Sequence, residues 1–296
     1  MKFKDAIEIL RPINDIMGSL TVIITVLVTR TGISFERIII NIILGALTYF
    51  FIAGSGMVIN DIYDVDIDKI NRPERPIPRG AITLQQAKYI FAGVFILGIT
   101  ISIIHSLIHS LFFNLLFLNV IIAAFFGFMG WVYAKWGKRS GFLGNIIVSV
   151  SFSIGFIYGA ILNSSIIPLY IYLFFLNSIF GLLSREIIKG CEDIEGDKKL
   201  GVNTLAIKIG LKRTPYISMI CAFLSILFFI LAAFTELINP LAFSISMIFG
   251  IVVVFYAAIL MPKKNLDKKD FSKISLLLKI GMFLGLIAII FASIEF

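Results

Sequence analysis

The chain has 296 residues, of which 59% are hydrophobic and only 15% charged, and its mean hydropathy is +1.00. That balance excludes a soluble globular domain and places the protein in a membrane. Its formal net charge of +8 raises the possibility of a nucleic-acid partner, but the basic residues are distributed as topology signals, so none is expected.

In chain order, Phe3, Ile7 and Leu10 recur at helical spacing in a segment that carries acidic residues and no small-residue cleavage site. This predicts a short helix lying on the membrane surface rather than a removed signal peptide. Apolar runs near 14–29, 38–59, 83–104, 111–134, 142–162, 166–184, 214–234, 240–261 and 274–294 then predict nine spans. They must be helices, because a lipid environment offers no partner for open backbone groups. The expected fold is an all-α polytopic bundle forming one domain over residues 1–296. Alternating the connections puts 24 of the 26 Lys and Arg on one side, with only Arg30 and Arg37 on the other. The positive-inside rule makes the charged side, with the amino terminus, cytoplasmic. Cys191 and Cys221 imply no disulfide framework.

The charge that remains is concentrated. Directly after the apolar run ending at Ile59 comes "NDIYDVDIDKINRPERPIPRG", Asn60 to Gly80, with four aspartates and three arginines. On a helix continuing past the membrane, Asn60, Asp64 and Asp68 stack on one face with Asp61 beside them, while Asp66 points elsewhere. A related segment, "REIIKGCEDIEGDKKLG", returns at Arg185 to Gly201, four helices later. There Asp193 and Asp197 are again four apart, and Glu186 and Lys189 continue the stripe backward.

Carboxylates this crowded repel one another unless cations neutralise them, and hard oxygen donors suit Mg²⁺. Mg²⁺ keeps several waters and usually bridges to substrate phosphates, so a phosphate or diphosphate ligand is expected. Lys69, Arg72, Arg75 and Arg79 follow the first cluster, and Arg185, Lys189, Lys198 and Lys199 flank the second, supplying donors for phosphate oxygens. Pro73, Pro76 and Pro78 end the helix and stiffen the arginine-bearing loop. A diphosphate site at the mouth of an apolar bundle fits a substrate with a polar head and a lipid tail, as in prenyl diphosphates. Withdrawing charge from the departing diphosphate lowers the barrier to breaking the allylic C–O bond.

The form N-D-x-x-D-x-x-x-D followed by arginines, together with D-x-x-x-D in "CEDIEGDKK" and about nine spans, closely resembles the UbiA superfamily of intramembrane prenyltransferases over essentially the whole chain. The resemblance implies a ring of helices around a lipid-accessible cavity, with Mg²⁺ and a prenyl diphosphate held under a cytoplasmic cap. Carried over by position, it makes Asn60, Asp61, Asp64, Asp68, Asp193 and Asp197 the metal site, with Asp64, Asp193 and Asp197 central to catalysis. It likewise makes Asn14, Arg72, Arg75, Tyr133, Lys138, Arg185, Lys189 and Lys199 substrate-binding. Many members carry Tyr-x-x-x-Lys after span four; here Gly137 stands at that spacing from Tyr133, and Lys138 is taken as the phosphate ligand. Pro73 after Arg72, and the wording of the second motif, resemble one branch in particular. Its members transfer a geranylgeranyl group from geranylgeranyl diphosphate to the hydroxyl of geranylgeranylglyceryl phosphate, a lipid acceptor bearing a phosphate, in archaeal-type ether-lipid synthesis. The alternative is an aromatic acceptor such as 4-hydroxybenzoate.

Other features are expected to be structural. His105 and His109 have metal-compatible spacing but no third ligand. Gly155 with Gly159, and Gly281 with Gly285, are small-residue pairs of the kind that lets helices approach closely. Asn163 opens a glycosylation sequon close to the membrane. Trp131, Tyr133 and Trp136 form an interfacial aromatic belt, with Tyr133 also able to face a carbocation. Arg11, in "LRPIND", reads as a topology signal or a phosphate ligand, and Asn14 and Asp15 as a helix cap or ligands. A transporter is disfavoured because the aspartates gather at span ends rather than at mid-membrane.

Overall fold

The computed structural model describes residues 2–110, 118–199 and 201–294; the side chains of residues 70, 71, 109, 110, 138, 139 and 199 lie outside that description. Regular structure among the described residues is helical throughout. In chain order the helices are α1 (Phe3–Glu8), α2 (Pro12–Val28), α3 (Phe35–Tyr63), α4 (Val65–Asn71), α5 (Leu84–Ser110), α6 (Leu118–Lys135), α7 (Phe142–Ser153), α8 (Gly155–Asn163), α9 (Leu169–Glu192), α10 (Ile194–Lys199), α11 (Leu205–Ile209), α12 (Thr214–Ala232), α13 (Pro240–Leu260) and α14 (Lys268–Ala292).

Several starts are written locally. Asn239 caps α13 by accepting from the Ala242 amide, with Pro240 at the first helical position, where its missing N–H costs nothing. Asp267 and Asp270 form a reciprocal capping box at the start of α14.

Among the described residues, eight segments are long and apolar enough to cross a bilayer, one fewer than the nine spans expected. The difference is the first: α2 has 17 residues, about 25 Å at 1.5 Å per residue, short of the ~30 Å hydrocarbon core. The span predicted over 142–162 is present as Phe142–Asn163, but it is broken at Ile154 into α7 and α8. The span expected over 111–134 is described from Leu118 onward.

The chain divides into two compact units. The first comprises Met1–Val26, Gly32–Gly137 and Tyr158–Ile166. In it α3 packs on α5 and α6, and α2 closes on α3 and α8 through glycines: a side-chain carbon at Gly18 would fall 2.3 Å from the Tyr49 ring, and one at Gly159 2.8 Å from Thr25. Near the motif end, Ile9, Val58, Ile77, Ile82 and Ala87 form a small core that fastens α1 and the proline-rich loop to α3.

A buried polar network sits elsewhere in the same unit. Asn41 donates to the Leu162 carbonyl at 2.8 Å and to Asn163 Oδ1 at 2.9 Å, and Asn163 donates to the Val26 carbonyl at 2.8 Å. His105 Nε2 lies 3.0 Å from Asn41 Oδ1. His105 is therefore built into packing; the side chain of His109 lies outside the described residues. Asn163 is fully buried with both ends of its amide engaged, so its sequon offers no acceptor to a glycosylating enzyme.

The second unit comprises Leu27–Thr31, Lys138–Ile157 and Ile167–Phe296. Helix α9 packs on α7, α12 and α14, and α13 lies against α14. The α13–α14 approach is close because Gly250 meets the Gly281 carbonyl and Gly285 backbone, which extends the expected Gly281/Gly285 pair by a third glycine. Phe156, Phe174, Phe229 and Phe243 stack as one aromatic cluster with centroids 5.1–6.2 Å apart. Cys191 and Cys221 are buried, free thiols.

Candidate active site

The first motif is built where α3 gives way to α4. Asp64 terminates one helix and starts the next with φ −91° and ψ 3°, the sparsely populated bridge region common at active sites. Helical hydrogen bonding nevertheless runs through the break: the amides of Asp64, Asp68 and Arg72 donate to the carbonyls of Asn60, Asp64 and Asp68 at 2.9, 2.8 and 2.8 Å. The side-chain period is thus preserved, and the expected face forms. Asp61, Asp64 and Asp68 are 2%, 2% and 3% exposed, whereas the Asp66 side chain is 94% exposed and pairs with Lys69 at 3.0 Å.

Within this face Asn60 Nδ2 donates to Asp64 Oδ2 at 2.7 Å, while Asn60 Oδ1 is buried without a hydrogen-bond partner. Arg75 reaches back from the loop and donates through Nη1 to both Asp61 Oδ1, at 3.1 Å, and Asp68 Oδ2. Arg11 donates through Nη2 to the same Asp61 Oδ1. Arg72 is exposed, as is Asn14, whereas its neighbour Asp15 is fully buried against Gly54. Tyr133 is half-buried at the end of α6, in a stretch where Lys135 lies over the rings of Trp131 and Trp136 at 4.9 and 4.5 Å.

The arginine loop is held from its far end. Arg79 binds Glu8 bidentately at 2.7 and 3.0 Å and Asp5 at 2.6 Å, which straps α1 to the loop. Hydrogen bonding to the Arg79 guanidinium holds the Asp5 and Glu8 carboxyls below their usual range and raises Arg79. A depressed carboxyl contributes stability above its unfolded pKa and loses it as pH falls through the folded value. Docking of α1 is therefore expected to loosen as pH drops below about 4, the ordinary carboxyl range. Hydrogen exchange of residues 3–11 should rise there in the wild type, and Arg79→Ala should show the raised exchange already at neutral pH.

The second motif repeats this local construction in the other unit. Helix α9 ends at Glu192, Asp193 takes φ −96° and ψ 8°, and α10 follows. Its amide donates to the Lys189 carbonyl at 2.9 Å, and Asp197 to the Asp193 carbonyl at 3.0 Å. The echo seen in the sequence is thus a shared backbone device: a helix, an aspartate at a break, and one further turn or two. Asp193 is exposed and Asp197 half-buried. Arg185 donates to Glu186 at 2.8 Å, leaving its buried Nε with no partner, and Lys189 lies 3.9 Å from the same Glu186. The side chains of Lys138 and Lys199 lie outside the described residues.

A family model described as the UbiA prenyltransferase family matches residues 19–287. The chain belongs to this family. It is accordingly a multi-pass membrane prenyltransferase. Digeranylgeranylglyceryl phosphate synthase of Methanocaldococcus jannaschii is 34% identical over 297 residues, covering 99% of this chain and 98% of that one. A solved structure described as giving insights into digeranylgeranylglyceryl phosphate synthase in membranes matches at 31% identity and a TM-score of 0.76, covering 99% of both chains. A UbiA homologue from Archaeoglobus fulgidus, solved bound to GPP and Mg²⁺, matches with a TM-score of 0.63 over 95% of this chain and 99% of that one; at 16% identity it bears on the fold alone.

Of the residues singled out from sequence, the UbiA fold gathers Asn60, Asp61, Asp64, Asp68 and Arg75 into one contact cluster in the first unit. Arg185 and Lys189 share Glu186 in the second. The strap from Asp5 and Glu8 to Arg79 was invisible, since only tertiary packing brings residues 71 and 74 positions apart into contact.

Proposed function

We propose that this single domain transfers a geranylgeranyl group from geranylgeranyl diphosphate to the free hydroxyl of geranylgeranylglyceryl phosphate, with its charged loops on the cytoplasmic side. The observation that carries the reading is the paired aspartate-at-a-break device, each copy flanked by guanidinium donors. The full-length similarity to digeranylgeranylglyceryl phosphate synthases supports the choice of substrates. Arg75 and Arg185 supply donors that match a polyanionic head, and the surrounding helices are apolar enough to hold a C20 tail.

The residues of the first motif fit a hard divalent cation. Asn60 Oδ1 is a buried oxygen with no partner, and Asp64 and Asp68 are nearly buried carboxylates on the same face, an all-oxygen donor set. Asn60, Asp64 and Asp68 would hold Mg²⁺ at the first motif, and Asp193 and Asp197 would do so at the second. When bound, Mg²⁺ would neutralise charge developing on the departing diphosphate.

The remaining roles fall to the chain's own groups. Arg72, Arg75, Lys138, Arg185, Lys189 and Lys199 bind and orient phosphoryl oxygens. Asn14 and Tyr133 contact the substrate, and the Tyr133 ring face favours positive charge on the allylic carbon. Apolar helix surfaces exclude water, so the electrophile meets the acceptor hydroxyl before solvent. The acceptor proton leaves to a carboxylate or diphosphate oxygen as the ether bond forms.

The deciding experiment offers purified protein labelled geranylgeranyl diphosphate with either geranylgeranylglyceryl phosphate or 4-hydroxybenzoate, and analyses products by mass spectrometry. A digeranylgeranylglyceryl phosphate product, dependent on Mg²⁺, is expected. Prenylation of 4-hydroxybenzoate alone would reassign the acceptor, and no transfer to either would remove the reading.

A further inference from the structure

Asp61 stands apart from the other carboxylates of its motif. One of its oxygens, Oδ1, accepts from two guanidinium groups that arrive from opposite directions along the chain, Arg11 from fifty residues before and Arg75 from fourteen after. Asp61 is 3% exposed at its side chain, and the two arginines 26% and 13%. A carboxylate committed to two cations has little charge left to attract a third, and a divalent ion placed on it would be repelled by both arginines. By contrast Asn60 Oδ1 is buried and without a partner, while its Nδ2 donates to Asp64 Oδ2 on the same stripe.

Arg11 is unusual in its own right. It is one of two non-glycine residues with positive φ, at 54°, among the described residues, and it sits between α1 and Pro12. A left-handed arginine is held only where its surroundings determine it, and here the Arg11 amide bonds the Glu8 carbonyl while its own carbonyl accepts from Asn14. The result aims the guanidinium into the motif. Only Nη2 finds a carboxylate; Nη1 faces Met57 Sδ at 3.8 Å, a thioether that is a weak acceptor. Arg75 similarly spends Nη1 on both of its carboxylates. Donors in excess of strong acceptors, in a place already half closed to water, are what a phosphoryl oxygen requires.

We propose that Arg11 binds a phosphoryl oxygen of the substrate and that Asp61 is a positioning residue for the Arg11–Arg75 pair rather than a metal ligand. This rests on the prenyltransferase reading of the same site. It divides the motif: Asn60 and Asp64 face the cation, Asp61 orients the cationic side chains that face the anion, and Asp68, whose Oδ2 also accepts from Arg75, borders both. The phosphoryl group belongs either to the prenyl diphosphate or to the phosphate of the acceptor, and the substrate arms below separate these.

The test uses full-length protein in detergent with Mn²⁺ read by electron paramagnetic resonance, inorganic diphosphate as the anion, and steady-state kinetics. Asp61→Asn is expected to keep Mn²⁺ affinity within about twofold while Asp64→Asn loses tenfold or more. Arg11→Ala is expected to weaken diphosphate or raise one KM by about 10- to 100-fold, the range for a hydrogen bond to a charged group, with Arg11→Lys recovering part of it. Arg11→Ala and Asp61→Asn together should be clearly less than additive, since each removes the same interaction. A rise in KM for geranylgeranyl diphosphate assigns Arg11 to the donor; a rise for the glyceryl phosphate assigns it to the acceptor. If neither KM nor diphosphate binding moves in Arg11→Ala, or if Asp61→Asn loses Mn²⁺ as Asp64→Asn does, the assignment is overturned while the prenyltransferase reading stands. If the wild type binds neither Mn²⁺ nor diphosphate, both readings fall together.

Discussion

Asp64→Ala and Asp193→Ala should each reduce turnover by roughly 10³-fold or more at saturating Mg²⁺, a loss of about 4 kcal/mol in transition-state stabilisation. Each aspartate sits at the break between a long helix and a short one, in the bridge conformation, with the i to i−4 hydrogen bonds continuing on both sides. The substitution removes the carboxylate without removing the backbone bonds, so helicity by circular dichroism should be retained. Activity within tenfold of wild type in either variant, with bulk helicity intact, would refute the catalytic assignment of both motifs.

Gly141→Ala is expected to have the largest effect on folding. Gly141 has φ 68° and ψ −111° at the start of α7, and a methyl there would fall 1.8 Å from the Asn203 carbonyl oxygen and 2.8 Å from its carbon. Both contacts are to backbone, which cannot rotate aside as a side chain would, and an L residue is strained at that φ whatever the space. The chain just after the second motif would have to move. The expected cost exceeds about 3 kcal/mol, from overpacking and backbone strain together. The measurement is the thermal midpoint and monodispersity of the detergent-purified variant. Gly80→Ala is the matched control: its φ is 77° but nothing lies within 4 Å, so strain alone should cost about 1 kcal/mol. Equal behaviour of the two variants would show that the close approach to Asn203 does not matter.

The residues that were legible beforehand share a property. The stripe of Asn60, Asp64 and Asp68, and the outward turn of Asp66, follow from helical periodicity, which survives the break at Asp64 because the hydrogen-bond ladder does. Gly281 and Gly285 were readable as a close-packing pair for the same reason, being one turn apart. The count of spans was less secure. Composition cannot separate a 17-residue apolar helix from one a turn longer, and the first helix proved too short by that margin.

Arg11 shows where such reading stops. As a sequence feature it is one basic residue before a proline, indistinguishable from a topology signal. Its contact with Asp61 depends on a left-handed backbone at one position and on fifty intervening residues folding back on themselves. Asn163 makes the same point in reverse: a sequon by its letters, it is fully buried once α3 and α8 pack together.

The amino-acid sequence by itself determined the membrane class, the helical architecture and both acidic stripes, because each depends on hydrophobicity or on residues within about two turns of one another. Which carboxylate meets an arginine, which oxygen is left without a partner, and which glycine cannot become alanine were decided only by tertiary structure. Those properties belong to pairs of atoms from distant segments, and their energies exist only once the helices are packed.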